Sequence, residues 1–308
     1  SRDRKKAPRP CWFESHTDRR TYGGLCIQRF VVPNTPRFFL QNPLLPGFGL
    51  SFGFSTFYIS LIILFPLSAL LLYVSDMSWA QYWRAISDPR VVQSYKVTLS
   101  GAFYSTIAAL LIGLLLAWII TRYDFPGRRL VDALVDLPFA LPTAVAGIAL
   151  TALYAPAGLV GQFAADLGFK IAYTPLGITL ALTFVTLPFV VRTVQPVLAD
   201  IPREVEEAAA CQGAKPLQVF RHILAPALLP AWLTGFALAF ARGVGEYGSV
   251  IFIAGNMPMK TEILPLLIMV KLDQYDYTGA TAIGVLMLVV SFILLLLINL
   301  LQRRIETP

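Results

Sequence analysis

Val97-Thr-Leu-Ser-Gly-Ala-Phe-Tyr-Ser-Thr-Ile-Ala-Ala-Leu-Leu-Ile-Gly-Leu-Leu-Leu-Ala-Trp-Ile-Ile-Thr121 carries no charge, and Lys96 and Arg122 close it on either side. A helix needs about 20 mostly apolar residues to cross the hydrocarbon core of a bilayer, and this run supplies them. Outward from it the pattern recurs. The stretch 38–75 is charge-free and most apolar over 53–74, and further runs cover 137–165, 171–191, 229–254 and 277–302. The run at 229–254 is interrupted by Arg242 and Glu246. All are too long and too rich in Leu, Ile and Ala for buried strands, which argues against a barrel. Prolines such as Pro138, Pro142 and Pro188 lie within several runs. A membrane bundle tolerates them because neighbouring helices satisfy the freed backbone groups. The expected fold class is all-α integral membrane, with six transmembrane helices.

Composition agrees. Hydrophobic residues make up 56% of the chain and charged residues 14%, against about 45–50% and about 25% in soluble domains. The net charge of +7 raises the question of nucleic acid, and its distribution answers it. With the amino terminus placed inside, basic residues concentrate in the cytoplasmic segments, nine of them before the first span. Arg122, Arg128 and Arg129 follow the second span, Arg203, Lys215 and Arg221 follow the fourth, and Arg303 and Arg304 end the chain. The outer loops hold fewer: Arg84, Arg90, Lys96, Lys170, Lys260 and Lys271. This is the positive-inside pattern. It predicts both termini inside and leaves no basic surplus that calls for nucleic acid.

Residues 1–50 are basic, punctuated by prolines and without helical period. They read as a mobile cytoplasmic tail, or as one that lies on anionic lipid. The transmembrane domain is expected over 51–302, with a short cytoplasmic terminus at 303–308. Cys11, Cys26 and Cys211 form no close pair, and His16 and His222 are the only histidines, so a zinc or disulfide framework is not expected.

The longest inner loop reads Ile201-Pro-Arg-Glu-Val-Glu-Glu-Ala-Ala-Ala-Cys-Gln-Gly-Ala-Lys-Pro-Leu-Gln-Val-Phe-Arg-His-Ile-Leu-Ala-Pro226. Glu204, Glu206 and Glu207 favour the start of a helix, and Gly213 marks its end. After a polar turn, a second amphipathic stretch begins at Pro216 and leads into the fifth span. The spacing of Glu207, Ala208, Ala209, Gly213, Ile223 and Pro226 resembles the coupling motif of permease subunits of ABC importers. Ala225 stands where that pattern has Leu.

The resemblance implies a type I importer permease fold, with the short helix docking into a cleft of a separate ATPase subunit. No Gly-x-x-x-x-Gly-Lys-Ser/Thr phosphate loop occurs in the sequence, so ATP and Mg are expected on that partner rather than on this chain. Four stretches, 137–148, 235–249, 252–258 and 274–282, are similar to T-type permease subunits of sulfate/thiosulfate importers, over about residues 45–302. The resemblance implies a second related permease subunit of W type, a sulfate-binding protein, and alternating access in a bacterial cytoplasmic membrane or a plastid inner envelope. No catalytic residue and no metal site is expected.

Arg242 and Glu246 are each costly in mid-bilayer, by about 2.5–3.5 kcal/mol on insertion scales. They are therefore expected to face the bundle interior or an aqueous path. Their spacing permits an internal ion pair, and a guanidinium also suits a tetrahedral oxyanion. Other readings are a molybdate or tungstate permease, an ion-driven secondary anion transporter, and a membrane enzyme or scaffold. The secondary transporter has no need of the loop motif, and no paired carboxylates or nucleophile–base set supports an enzyme.

Overall fold

The computed structural model describes residues 48–306, and within them every regular element is a helix. Residues 57–306 form one compact unit. The tail expected over 1–50 lies outside the described residues except at 48–50, and residues 307–308 of the expected terminus also lie outside them.

The first span is a continuous helix, Gly49–Ser75, made of α1 (Phe48–Ile59), a π-helical turn (Ser60–Leu64) and α2 (Phe65–Ser75). A short amphipathic helix, α3 (Trp79–Ile86), follows. The Ser78 hydroxyl accepts from the Gln81 N–H at its start, and the Gln81 side chain accepts from the Ser78 N–H, a capping box. α4 (Pro89–Arg122) is the run quoted first, extended by two turns; the Asp88 side chain accepts from the Arg90 N–H at its start. Next come α5 (Arg128–Val135), α6 (Leu137–Ala140), α7 (Thr143–Tyr154), α8 (Leu159–Asp166) and α9 (Pro175–Asp200). The 201–226 region holds α10 (Arg203–Cys211), α11 (Pro216–Val219) and a second π-helical turn (Phe220–Leu224). α12 (Ala225–Val244), α13 (Val250–Ala254), α14 (Leu264–Asp273) and α15 (Tyr277–Glu306) complete the chain.

Five helical stretches are long and apolar enough to cross a membrane, and the pair α7 and α8, bent by 42°, makes a sixth span when taken together. Two expectations are corrected. The run 137–165 is not one helix, because Leu141 and Ala155 are extended, with ψ 135° and 155°. Each precedes a proline, Pro142 or Pro156, whose ring disfavours the helical region for the residue before it. The fifth span does not run over 229–254 either. It starts at Pro216 and stops at Val244, and α13 resumes after a non-helical break at 245–249. By contrast, Pro188 and Pro196 stay inside α9, and Pro230 inside α12.

The interior is built on α4, α9 and α12. α4 turns Ala102, Ala109, Gly113 and Ala117 inward, small residues that let helices approach closely. Larger buried partners, Leu182, Val190, Val191 and Val194, come from α9. Gly235 of α12 faces Val190 and Thr193, and Gly243 faces Ala102. Bulky residues such as Phe57, Leu111, Leu115, Phe292 and Leu297 point outward. In water that much exposed apolar surface would be strongly unfavourable, at about 25 cal/mol per Å²; in lipid it is the expected surface.

Candidate functional site

The 201–226 loop is a pair of short helices joined by a tight end. α10 follows Pro202, with Glu204 and Glu206 in its first turn where the helix dipole favours negative charge. It closes on Gly213, whose φ of 84° lies in the left-handed region. The Gly213 N–H donates to the Ala210 carbonyl (2.9 Å) and the Ala214 N–H to the Ala209 carbonyl (3.1 Å). This is the Schellman arrangement, which favours glycine at the left-handed position. The chain then restarts at Lys215, whose N–H donates to the Gln218 side chain (2.8 Å).

The loop has two sides. Ala209, Ala214 and Ile223 pack inward against Val219, Leu224 and Leu198. Glu207, Ala208, Gly213 and Pro226 are exposed, as are Cys211 and Leu217, the latter 75% exposed. Of the six motif residues, four therefore form an outward face and two, Ala209 and Ile223, fasten it. Ala208 and Gly213 keep that face low.

Sequence reasoning missed what holds the loop in place. Arg122, at the end of α4, pairs with Glu206 at 2.6 Å and is only 9% exposed. It also donates to the Ile201 carbonyl (3.1 Å), and Arg203 donates back to the Arg122 carbonyl (3.1 Å). Nearby, Arg192 of α9 spans Asp132 (2.7 Å) and Asp136 (2.6 Å), tying α5 to the same end of the bundle. In the sequence both arginines mark span boundaries and nothing more; their partners lie 84 and about 60 positions away.

The second candidate lies where α12 ends. Arg242 and Glu246 form an ion pair, the arginine one-third exposed and the glutamate almost fully buried. One Glu246 oxygen accepts from both the N–H and the hydroxyl of Ser249, each at 2.9 Å. The break at 245–249 is thus organised by a carboxylate whose lone pairs are satisfied on two sides. α7 packs directly on it: a Cβ added at Gly147 would stand 2.5 Å from the Ser249 carbonyl oxygen, so only glycine fits there. The start of α7, just after the interruption in the third span, also meets the fifth-span break, since Gly248 lies against Thr143 and Ala144, so the stretches 137–148 and 235–249 that the sequence singled out come together. Among the described residues no group of three His, Cys, Asp or Glu gathers at metal-binding distance.

Comparisons with known proteins fit this architecture. Residues 109–307 match the family described as binding-protein-dependent transport system inner membrane component. The sulfate transport system permease protein CysT of Salmonella typhimurium is 54% identical over 260 residues, 84% of this chain and 94% of that protein. A probable sulfate transport system permease protein cysT of Nephroselmis olivacea is 49% identical, covering 80% of this chain and 86% of its own. Among solved structures, a bacterial ABC transporter that imports the polysaccharide alginate superposes with a TM-score of 0.69 at 18% identity, over 83% of this chain and 96% of that one. That likeness carries the fold; the sequence relatives carry the kinship. The chain belongs to the binding-protein-dependent transport system inner membrane components, on the CysT branch.

Proposed function

We propose that this chain is the membrane-spanning permease subunit of an ATP-driven importer of sulfate or thiosulfate. The observation that carries the reading is the 207–226 motif on an exposed, rigidly ended helix pair, in a chain 54% identical to a CysT permease over most of its length. In this reading both termini and the 201–226 loop face the cytoplasm. The outward residues Glu207, Ala208 and Gly213 enter a cleft on a separate ABC ATPase that carries Mg and ATP, and Ile223 anchors the loop. A binding protein delivers the anion on the other face, and a related W-type permease subunit closes the path. The chain itself hydrolyses nothing.

Arg242 is the path residue to test. Its side chain stays one-third exposed beside Glu246, and guanidinium donors suit an oxyanion. The decisive experiment co-purifies the chain with its ATPase and measures labelled sulfate uptake in proteoliposomes with and without ATP. Uptake that needs ATP and the binding protein supports the reading. Failure to recover an ATPase, or uptake driven by an ion gradient alone, sinks it; preference for molybdate would reassign the cargo. Within that assay, unchanged transport by Arg242→Ala and Arg242→Lys removes Arg242 from the path.

A further inference from the structure

At the end of the bundle away from the 201–226 loop, α4, α9 and the turn at 255–263 border an open pocket of about 230 Å³, and its lining includes the exposed Lys96 and Lys260 but no carboxylate. We propose that this pocket binds a divalent tetrahedral oxyanion, as a loading site apart from Arg242; the proposal rests on the sulfate reading above. The cavity is several times the roughly 30 Å³ that one water occupies in the liquid.

Neither lysine is neutralised. The ion pairs among the described residues use Arg90, Arg122, Arg128, Arg192, Arg242 and Lys271, not Lys96 or Lys260. The nearest acid in sequence to Lys260 is Glu262, and both its oxygens are taken by Arg90, at 2.7 Å each. Asp88 caps α4 through the Arg90 N–H. Two like charges facing one cavity repel, and an anion between them reverses the sign of that interaction. A doubly charged anion does so better than chloride.

The pocket is built rather than incidental. Lys260 sits in a turn where Asn256 and Met259 adopt left-handed φ values of 45° and 64°, a conformation that persists only when surroundings over-determine it. Those surroundings are the Arg90–Glu262 fork, the Leu264 N–H donating to Thr98 of α4 (2.8 Å), and Thr261 donating to the Ala254 carbonyl (2.7 Å). The turn is thereby pinned to the helix that carries Lys96. Of the hydroxyls in the pocket, Ser100 donates to the Lys96 carbonyl and Thr179 to the Pro175 carbonyl. The two ammonium groups, the Gln93 amide and the Tyr104 hydroxyl are left as donors, a set that can approach a tetrahedral anion from several sides.

The test uses the intact importer complex in nanodiscs and the rate at which an amine reagent modifies each lysine, read by mass spectrometry. Sodium sulfate is exchanged for sodium chloride at constant ionic strength, with the exposed Lys170 as internal control. At a sulfate concentration of about four times Kd, Lys96 and Lys260 are expected to react about five-fold more slowly, with Lys170 unchanged. Lys96→Gln removes the protection of Lys260. Equal slowing at all three lysines, or none at Lys96 and Lys260 with sulfate, molybdate or phosphate, overturns the proposal. Protection by molybdate or phosphate but not sulfate keeps the pocket and sinks the sulfate cargo, which native uptake measures separately. Sulfate-independent protection that appears only when phosphatidylglycerol replaces phosphatidylcholine assigns the pocket to lipid phosphate and overturns the free-anion proposal.

Discussion

In the 201–226 loop, Arg122 reaches from the end of α4 to Glu206 on α10; at the 245–249 break, Arg242 and Glu246 stand four residues apart on one stretch of chain. The first pair joins elements that the chain brings together only by folding, and it leaves the motif face free. The second is local, and its carboxylate is drawn inward to organise the break, with Ser249 as its other partner. One arginine holds an exposed helix pair against the end of the bundle. The other is tied down at the meeting point of two interrupted spans, where α7 rests on Ser249. A shared chemistry therefore serves presentation in one place and internal shape in the other, and the two roles differ in what removing each arginine does.

The largest effect is expected at the break. Arg242→Ala leaves Glu246 almost fully buried with only the Ser249 donors. Breaking one side of a buried pair costs about 3–5 kcal/mol, and the partial exposure of Arg242 places this case near the lower end. Thermal unfolding of the solubilised complex measures it. Joint replacement, Arg242→Met with Glu246→Gln, is expected to restore most of the loss, because no charge is left stranded and the amide oxygen still accepts from the buried Ser249 donors. A single-variant loss below about 1 kcal/mol, the range of surface pairs, would show that the break is held by packing alone.

Arg122→Gln comes next. It removes the Glu206 ion pair and a hydrogen bond to the Ile201 carbonyl, and one hydrogen bond to a charged group contributes about 1.5–3 kcal/mol. The loss is expected to be local: faster amide hydrogen exchange in α10, little change in α4 beyond its last turn, and ATPase activity that no longer responds to the binding protein. If exchange rises equally through α4, α9 and α12, Arg122 supports the whole bundle and the contrast with Arg242 fails. Gly213→Ala is smaller, about 1 kcal/mol for a left-handed residue. No atom lies within 4 Å of the added Cβ, so the cost is in the backbone alone. Gly213→Asn is expected to recover part of it, and equal stability of both variants and the wild type would discount the tight helix end.

The difference between the regions also explains what could be read from the sequence. Apolar length is a transfer property summed along the chain, so the five long spans, and the sixth formed when α7 and α8 are taken together, are legible from long apolar runs. Backbone continuity is not such a property. Pro142 and Pro156 lie at breaks while Pro188, Pro196 and Pro230 stay within helices, and whether the missing N–H matters depends on neighbours that a linear reading does not supply. The outward face of the loop was legible because its chemistry is local: acids at a helix start, alanines, then glycine. Arg122 and Arg192 were not, since Glu206, Asp132 and Asp136 become their partners only after α4, α9 and α5 have packed. Arg242 and Glu246 stood out as charges in an apolar run, yet the break they organise was invisible, because Ser249 and Gly147 look like ordinary small residues.

The smallest effect lies where α15 begins, at a third acid–base pair of the described region. Asp276 accepts from the Gly279 N–H (2.9 Å) and from Lys271 (2.8 Å), so it caps the helix and ends α14 at once. The Lys271 ammonium, then the Gly279 N–H, hold its carboxyl below the ordinary value of 3.8. A depressed carboxyl stabilises the folded form at pH values above the unfolded pKa, and that contribution disappears as pH falls through the folded value. Its side chain is 42% exposed, so solvent screening keeps the contribution under about 1 kcal/mol. Asp276→Asn is therefore expected to flatten a small decline in thermal stability below about pH 4, while stability at neutral pH drops slightly. Lys271→Met should remove most of the same decline, because the ammonium is the larger cause. An unchanged acid profile in both variants would mean that the end of α15 is held by its packing on α14, as the 245–249 break would be if Arg242→Ala proved harmless.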